Sequence, residues 1–129
     1  MRKLSSSIAQ ELRRSNQARI KAQQSPDGTP FAQRKKKNFK TKQGRIKTQK
    51  AAMFTKLRLA SHLKAKGTLD GIEVGFIGRT ARIARVHQFG LRDKIDQTGK
   101  VAQYEKRQLL GVTESDRAKI MDAVLKHLA

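Results

Sequence analysis

Residues 61–90, SHLKAKGTLDGIEVGFIGRTARIARVHQFG, decide the fold. Ile72, Val74 and Phe76 alternate with Glu73, Gly75 and Ile77, close to the period of two expected of a strand with one covered face. Ser61–Gly67 reads as a weaker strand before it. Leu69-Asp70-Gly71 between them is a hairpin signal, so the two strands are expected to pair antiparallel. Gly78 ends the second strand. The spacing then turns helical over Thr80–Phe89. Thr80 is the N-cap candidate, Ala81, Ala84 and the Ile83–His87 pair share helical spacing, and Gly90 suits the left-handed residue that closes a helix.

Downstream, Leu91–Lys100 is polar and turn-rich, and Val101–Leu109 is expected to supply a third strand. Thr113-Glu114-Ser115-Asp116 fits the capping box that opens a helix. Ile120, Val124 and Leu128 then form one stripe, widened by Met121 and Leu125, which is expected to belong to the core. Glu114 and Asp116 at the start and Lys126 and His127 at the end complement the helix dipole. Upstream, Ser5–Gln23 is helix-compatible, with Ser5 to Ser7 as cap candidates. Its apolar positions Leu4, Ile8, Leu12 and Ile20 recur at multiples of four. That narrow stripe suits a helix leaning on a sheet or on a neighbouring subunit. Ser25 to Pro30, SPDGTP, breaks this helix. A further helical stretch is expected over Lys50–Ala60, with Met53, Phe54 and Leu57 on one face. The expected architecture is α+β: a small antiparallel sheet with an N-terminal helix, a short central helix and a C-terminal helix packed on it. Residues 1–129 form one domain, with 24–50 as an extended basic loop or arm.

The chain has 129 residues, a formal net charge of +20, no Cys and no Trp. That composition excludes disulfide scaffolds, Cys-ligated metal centres and cysteine nucleophiles. No apolar run reaches the length of a transmembrane helix. The basic start, MRKLSSSIAQ, is not followed by the apolar stretch of a signal peptide, so the cytoplasm of the producing cell is expected. Residues 1–66 carry 19 Lys and Arg against 2 acidic residues, whereas residues 67–129 carry 11 against 8. The densest run contains Arg34, Lys35, Lys36, Lys37, Lys40, Lys42, Arg45, Lys47 and Lys50. With one Phe and one Ile it cannot bury enough surface to fold alone, and it is expected to order against phosphate or carboxylate. Arg79, Arg82 and Arg85 recur every three residues as a second basic patch. Self-repulsion at this charge opposes compaction, so the melting temperature is expected to rise with ionic strength; a flat response in a salt series would contradict this.

Nothing in the chain reads as an enzyme. His62, His87 and His127 are far apart and outside any metal-ligand spacing, and no nucleophile elbow, Walker loop or dinucleotide fingerprint occurs. No metal and no cofactor is expected. His87 reads as a structural histidine. The composition alone favours a basic protein that binds the DNA or RNA backbone without sequence preference. The run lacks interleaved aromatics for base stacking, so sequence-specific reading is not expected.

Three blocks stand in order along the chain: QQSPDGTPFAQRK (23–35), IARVHQFGLRD (83–93) and LLGVTESDR (109–117). With the stretches 11–37, 53–58, 71–94 and 104–128 around them, they resemble the phage virion morphogenesis family of contractile-tailed phages over nearly the whole chain. The resemblance picks out Pro26, Asp27, Gly28, His87, Gln88, Phe89 and Gly90 as family-motif positions. Phe89 is expected to pack under the sheet, with His87 and Gln88 fixing the turn that follows. The resemblance also implies a further amphipathic segment ahead of the equivalent of Ser5, where this chain starts almost at its first helix. It implies a structural virion protein that completes the tail and helps join it to the DNA-filled head. The implied form is a homo-oligomer, a hexameric ring at the neck with genomic DNA passing through its lumen. The implied partners are neck, head-connector and tail-tube or tail-terminator proteins, with no membrane. The implied location is the virion, and the host cytoplasm during assembly.

Overall fold

The computed structural model describes residues 2–33, 38–40, 46–48, 52–94 and 99–129. In chain order the elements are α1 (Arg2–Lys21), β1 (Asn38–Lys40), β2 (Ile46–Thr48), β3 (Leu63–Gly67), β4 (Ile72–Phe76), α2 (Arg79–Phe89), β5 (Arg92–Lys94), β6 (Val101–Gln103) and α3 (Glu114–Leu128). The class is α+β, and the strands form three separate antiparallel pairs, β1–β2, β3–β4 and β5–β6.

The hairpin read from residues 61–77 is present. Its register runs from Leu63 opposite Phe76 to Gly67 opposite Ile72. Thr68 closes the turn by donating its N–H to the Gly71 carbonyl at 2.8 Å. Helix α1 lies across this hairpin, chiefly on β3. It begins at Arg2, so Ser5–Ser7 sit inside the helix rather than capping it. Their small size has a different use, because the α1 backbone at Ser5 and Ser6 presses directly on Gly67. Helix α1 ends in a left-handed residue, Gln23, at φ 59°. The Gln23 side-chain amide then clamps the Met53 backbone, donating to Met53 O and accepting from Met53 N, both at 2.8 Å.

That clamp explains why Lys50–Ala60 is not the expected helix. Residues 55–62 form consecutive turns, and Phe54 adopts φ 62°. A left-handed residue interrupts helical hydrogen bonding, and the Met53 backbone is already paired with Gln23. Met53 and Leu57 are buried all the same, as their spacing implies. Lys50 and Ala51 lie outside the described residues.

The core joins distant segments: Ile20, Phe31, Met53, Ala84 and Leu109, with Phe54 and Phe76 packed against it. The expected third strand, Val101–Leu109, is only Val101–Gln103, and it pairs with β5 instead of extending β3–β4. The Leu91–Lys100 stretch, expected as turn, therefore contains a strand at Arg92–Lys94. Beyond Gln103 the pairing lasts one more bond, Tyr104 N–H to Leu91 O at 3.1 Å, and the backbone then turns to α2, where Arg107 N–H donates to His87 O at 2.7 Å. That N–H is no longer free for a ladder.

Helix α2 starts after Gly78, without a side-chain cap. Thr80, the expected N-cap, instead turns its hydroxyl back to the Ile77 carbonyl. Gly90 closes the helix as read, at φ 65° and ψ 56°, with its N–H on Val86 O. The α3 capping box is also present: Thr113 Oγ1 accepts from Asp116 N–H at 3.1 Å, and Asp116 Oδ2 accepts from Thr113 N–H at 3.0 Å. The stripe along α3 is only half used. Ile120 and Val124 are partly covered, whereas Met121, Leu125 and Leu128 remain exposed, because among the described elements α3 packs chiefly against α1.

Candidate functional site

The family-motif residues fall into two groups that brace the segment 104–111. In the first, residues 25–30 form a tight turn. Asp27 Oδ1 accepts from Thr29 N–H at 2.9 Å, Gly28 N–H donates to Ser25 O at 2.9 Å, and Gly28 takes φ 86°, which favours glycine. The Thr29 hydrogen bonds hold the Asp27 carboxyl below its usual range. Pro26 packs on Gly111, where an added Cβ would stand 2.9 Å from Pro26 Cβ and closer still to Cγ. The same turn leads Phe31 into the core.

In the second group, Gln88 uses its side-chain amide as Gln23 does. Its Oε1 accepts from Leu109 N–H at 2.8 Å and from Leu110 N–H at 3.0 Å, and its Nε2 donates to Leu110 O at 3.2 Å. Gln88 thus fixes residues 109–110 rather than the turn directly after α2. His87 stands in an aromatic row, edge-on to Phe54 at 4.8 Å and to Tyr104 at 5.1 Å between ring centres. The Arg107 guanidinium lies 3.4 Å from His87 Nδ1 and donates through Nε to Ala32 O at 2.6 Å. A guanidinium offers only donors, so Nδ1 is the acceptor and the ring is neutral. Burial, and then the Arg107 charge, push the His87 pKa down to about 4. Its folded value lies below its unfolded one, so protonation favours the unfolded chain. Stability is full above about pH 6.5 and is lost as pH falls toward 4. A thermal-melt series from pH 7 to pH 5 is expected to show a falling melting temperature, with a clearly shallower fall in His87→Phe. Equal slopes would refute this.

Phe89 is not under the sheet. It is 62% exposed. Residue 89 sits on the α2 side that borders an open groove of about 320 Å³, floored by Phe76, Ala84 and Leu110 and rimmed by Arg85 and Phe89. The α2 arginines are exposed, but they are not equivalent. Arg82 bridges Asp93 at 2.5 Å, which raises the Arg82 pKa and lowers that of Asp93. Arg79 and Arg85 keep their charge facing solvent. Of the basic run, Lys40 lies in β1 and Lys47 in β2. Arg34, Lys35, Lys36, Lys37, Lys42, Arg45 and Lys50 lie outside the described residues.

Sequence reasoning missed a buried polar cluster between α1 and the start of α3. Asn16 Nδ2 donates to Leu12 O at 2.8 Å, and its Oδ1 accepts from Gly111 N–H at 3.1 Å and from the Arg19 guanidinium. Ser15 donates its hydroxyl to Asp116, and Arg19 stands 3.8 Å from the Asp116 carboxylate. Burial opposes ionisation of Asp116, but the hydrogen bonds from Ser15 and Thr113 and the Arg19 charge outweigh it and hold the carboxyl below its ordinary value. The partners are about a hundred positions apart, so no local pattern announces them. The only available signal was the capping box, which fixed one of the two Asp116 oxygens.

Among the described residues no three His, Asp or Glu side chains converge as a metal site, and no helix is long and apolar enough to cross a membrane. The chain matches the phage virion morphogenesis family along residues 1–129. It is 39% identical over 128 residues to tail completion protein S of Escherichia phage P2, an alignment that covers 98% of this chain and 83% of that protein. No solved structure matches it.

Proposed function

Since the chain belongs to the phage virion morphogenesis family, we propose that it is a structural subunit that completes the tail of a contractile-tailed phage. It forms a six-membered ring at the neck, between the head connector and the top of the tail tube, through which the genome passes. The observation that carries the reading is the identity with tail completion protein S along almost the entire chain. The surface fits assembly: apolar residues on α2 and α3 stay exposed in the single copy. The basic run, Arg34 to Lys50, is the element that meets phosphate in the lumen or an acidic face of a neighbouring ring.

The excess of basic residues over 1–66 favours a second reading, a free binder of nucleic-acid backbones. Cryo-electron microscopy of particles from the producing phage, with symmetry left free, separates the two. The expected result is density for this chain at the top of the tail, and tails that fail to join full heads when its gene is deleted. Normal joining without the gene, and no density in finished particles, would overturn the tail reading in favour of the second.

A further inference from the structure

Helix α3 carries more apolar surface than its own subunit covers. Ile120 and Val124 face inward, whereas Met121, Leu125 and Leu128, at i, i+4 and i+7, line a separate row and are 60%, 59% and 75% exposed. This is the anchor spacing of a helix that lies in a groove. A groove of matching character is present on the same chain, between α2, β4 and Leu110. Its floor is apolar and its rim carries Arg85.

Charge restricts what can cover the row. Two copies of a chain with net charge +20 repel each other, and they touch only where the local balance allows it. Over their lengths α1 carries six Lys and Arg against Glu11, and α2 carries three Arg and no acid. Helix α3 is balanced, with Glu114, Asp116 and Asp122 against Arg117, Lys119 and Lys126. Glu114, seven positions before Met121, continues the line of the apolar row; Arg117 also borders the row, and Asp122 is bridged to Lys126 at 3.1 Å. A neutral helix with a carboxylate in line with its apolar row complements a groove rimmed by arginine.

We infer that the Met121–Leu125–Leu128 row of one copy seats in the α2 groove of a second copy, with Glu114 facing Arg85. Donor and acceptor surfaces differ, so the contact is head-to-tail, the kind that builds a ring where its rotation closes. The inference rests on the ring reading above and names its interface.

The absence of cysteine makes the test clean. Phe89→Cys and Leu125→Cys variants, both at exposed positions, are produced with the remaining tail proteins, singly and mixed, and treated with a short bis-maleimide. The expected result is a cross-linked dimer in the mixture and none from either variant alone; a chain carrying both changes gives a ladder beyond the dimer. No cross-link in the mixture overturns the inference, and so does a dimer from Leu125→Cys alone, which would mean that α3 pairs with α3. If the chain is found at the top of the tail but the mixture does not cross-link, the ring reading stands and this interface falls. If the mixture cross-links but the chain is absent from tails, the interface stands and the tail reading falls.

Discussion

Gly67→Ala is expected to be the most damaging single-methyl change in the chain. The new Cβ would stand 2.6 Å from Ser6 Cα and closer still to Ser6 N and Ser5 C. These are backbone atoms of α1, so no side-chain rotation relieves the overlap. Either α1 lifts from β3 or the β3–β4 hairpin bends, and α1 on β3 is the most extensive contact between described elements. Overpacking of this kind costs about 3 kcal/mol, a large part of a typical domain stability. The melting temperature is expected to fall by roughly 10–15 °C in circular dichroism. Gly75→Ala supplies the control, because nothing lies within 4 Å of its added methyl. A Gly67→Ala melt within the error of the Gly75→Ala melt would show that α1 does not press on β3.

Asp116→Ala is expected to follow closely. It removes the acceptor for Thr113 N–H, the acceptor for the Ser15 hydroxyl and the counter-charge of Arg19. Losing the reciprocal cap costs about 1 kcal/mol. Leaving the largely buried Arg19 guanidinium on α1 without its carboxylate adds a comparable or larger penalty, for a total of about 3 kcal/mol. Ser15→Ala is expected to cost much less in the Asp116→Ala background than in the native chain, which a double-mutant cycle reads directly. The pH dependence has a definite sign. The folded Asp116 carboxyl titrates below its unfolded value of 3.8, so its contribution is full above that value and is lost as pH falls below it. It is therefore separable from the His87 contribution, which is lost at higher pH. Equal stability of Asp116→Ala and the native chain at pH 7 would dismiss the cluster as an anchor of α3.

Local chemistry was legible in the sequence and remote pairing was not. The α3 capping box, the Gly90 helix end and the Thr68–Gly71 turn each depend on residues within a few positions, and all three are present. Lys50–Ala60 had helical spacing, yet the Gln23 amide, some thirty positions away, took the Met53 backbone. Val101–Leu109 had strand-like residues, yet Gln88 and His87 took its hydrogen-bonding groups. Asn16 and Arg107 look like ordinary polar residues in the sequence and are buried because each pairs with a distant backbone group, Asn16 accepting from the Gly111 N–H and Arg107 donating to the Ala32 carbonyl. The motif glutamine, Gln88, was marked by the sequence, but its acceptors lie twenty-one and twenty-two positions downstream. Phe89 and the outer row of α3 are apolar, which in a sequence points to the core; their exposure follows from how few elements this short chain has to cover them.

The cluster that ties Ser15 to Asp116 also bears on how the protein is made. Those side chains are 101 positions apart, and the core that α1 helps to build needs Leu109 as well. During synthesis α1 emerges first and waits for partners that the ribosome has not yet delivered. Until residues 109–116 are out of the exit tunnel, α1 has the β3–β4 hairpin to lie on but neither Leu109 nor α3, and the core stays open. Folding is then completed by a late, long-range closure. A message truncated just before this segment would yield a chain containing nearly all of the basic residues and none of the closure, which is a substrate for proteases and not a subunit for assembly.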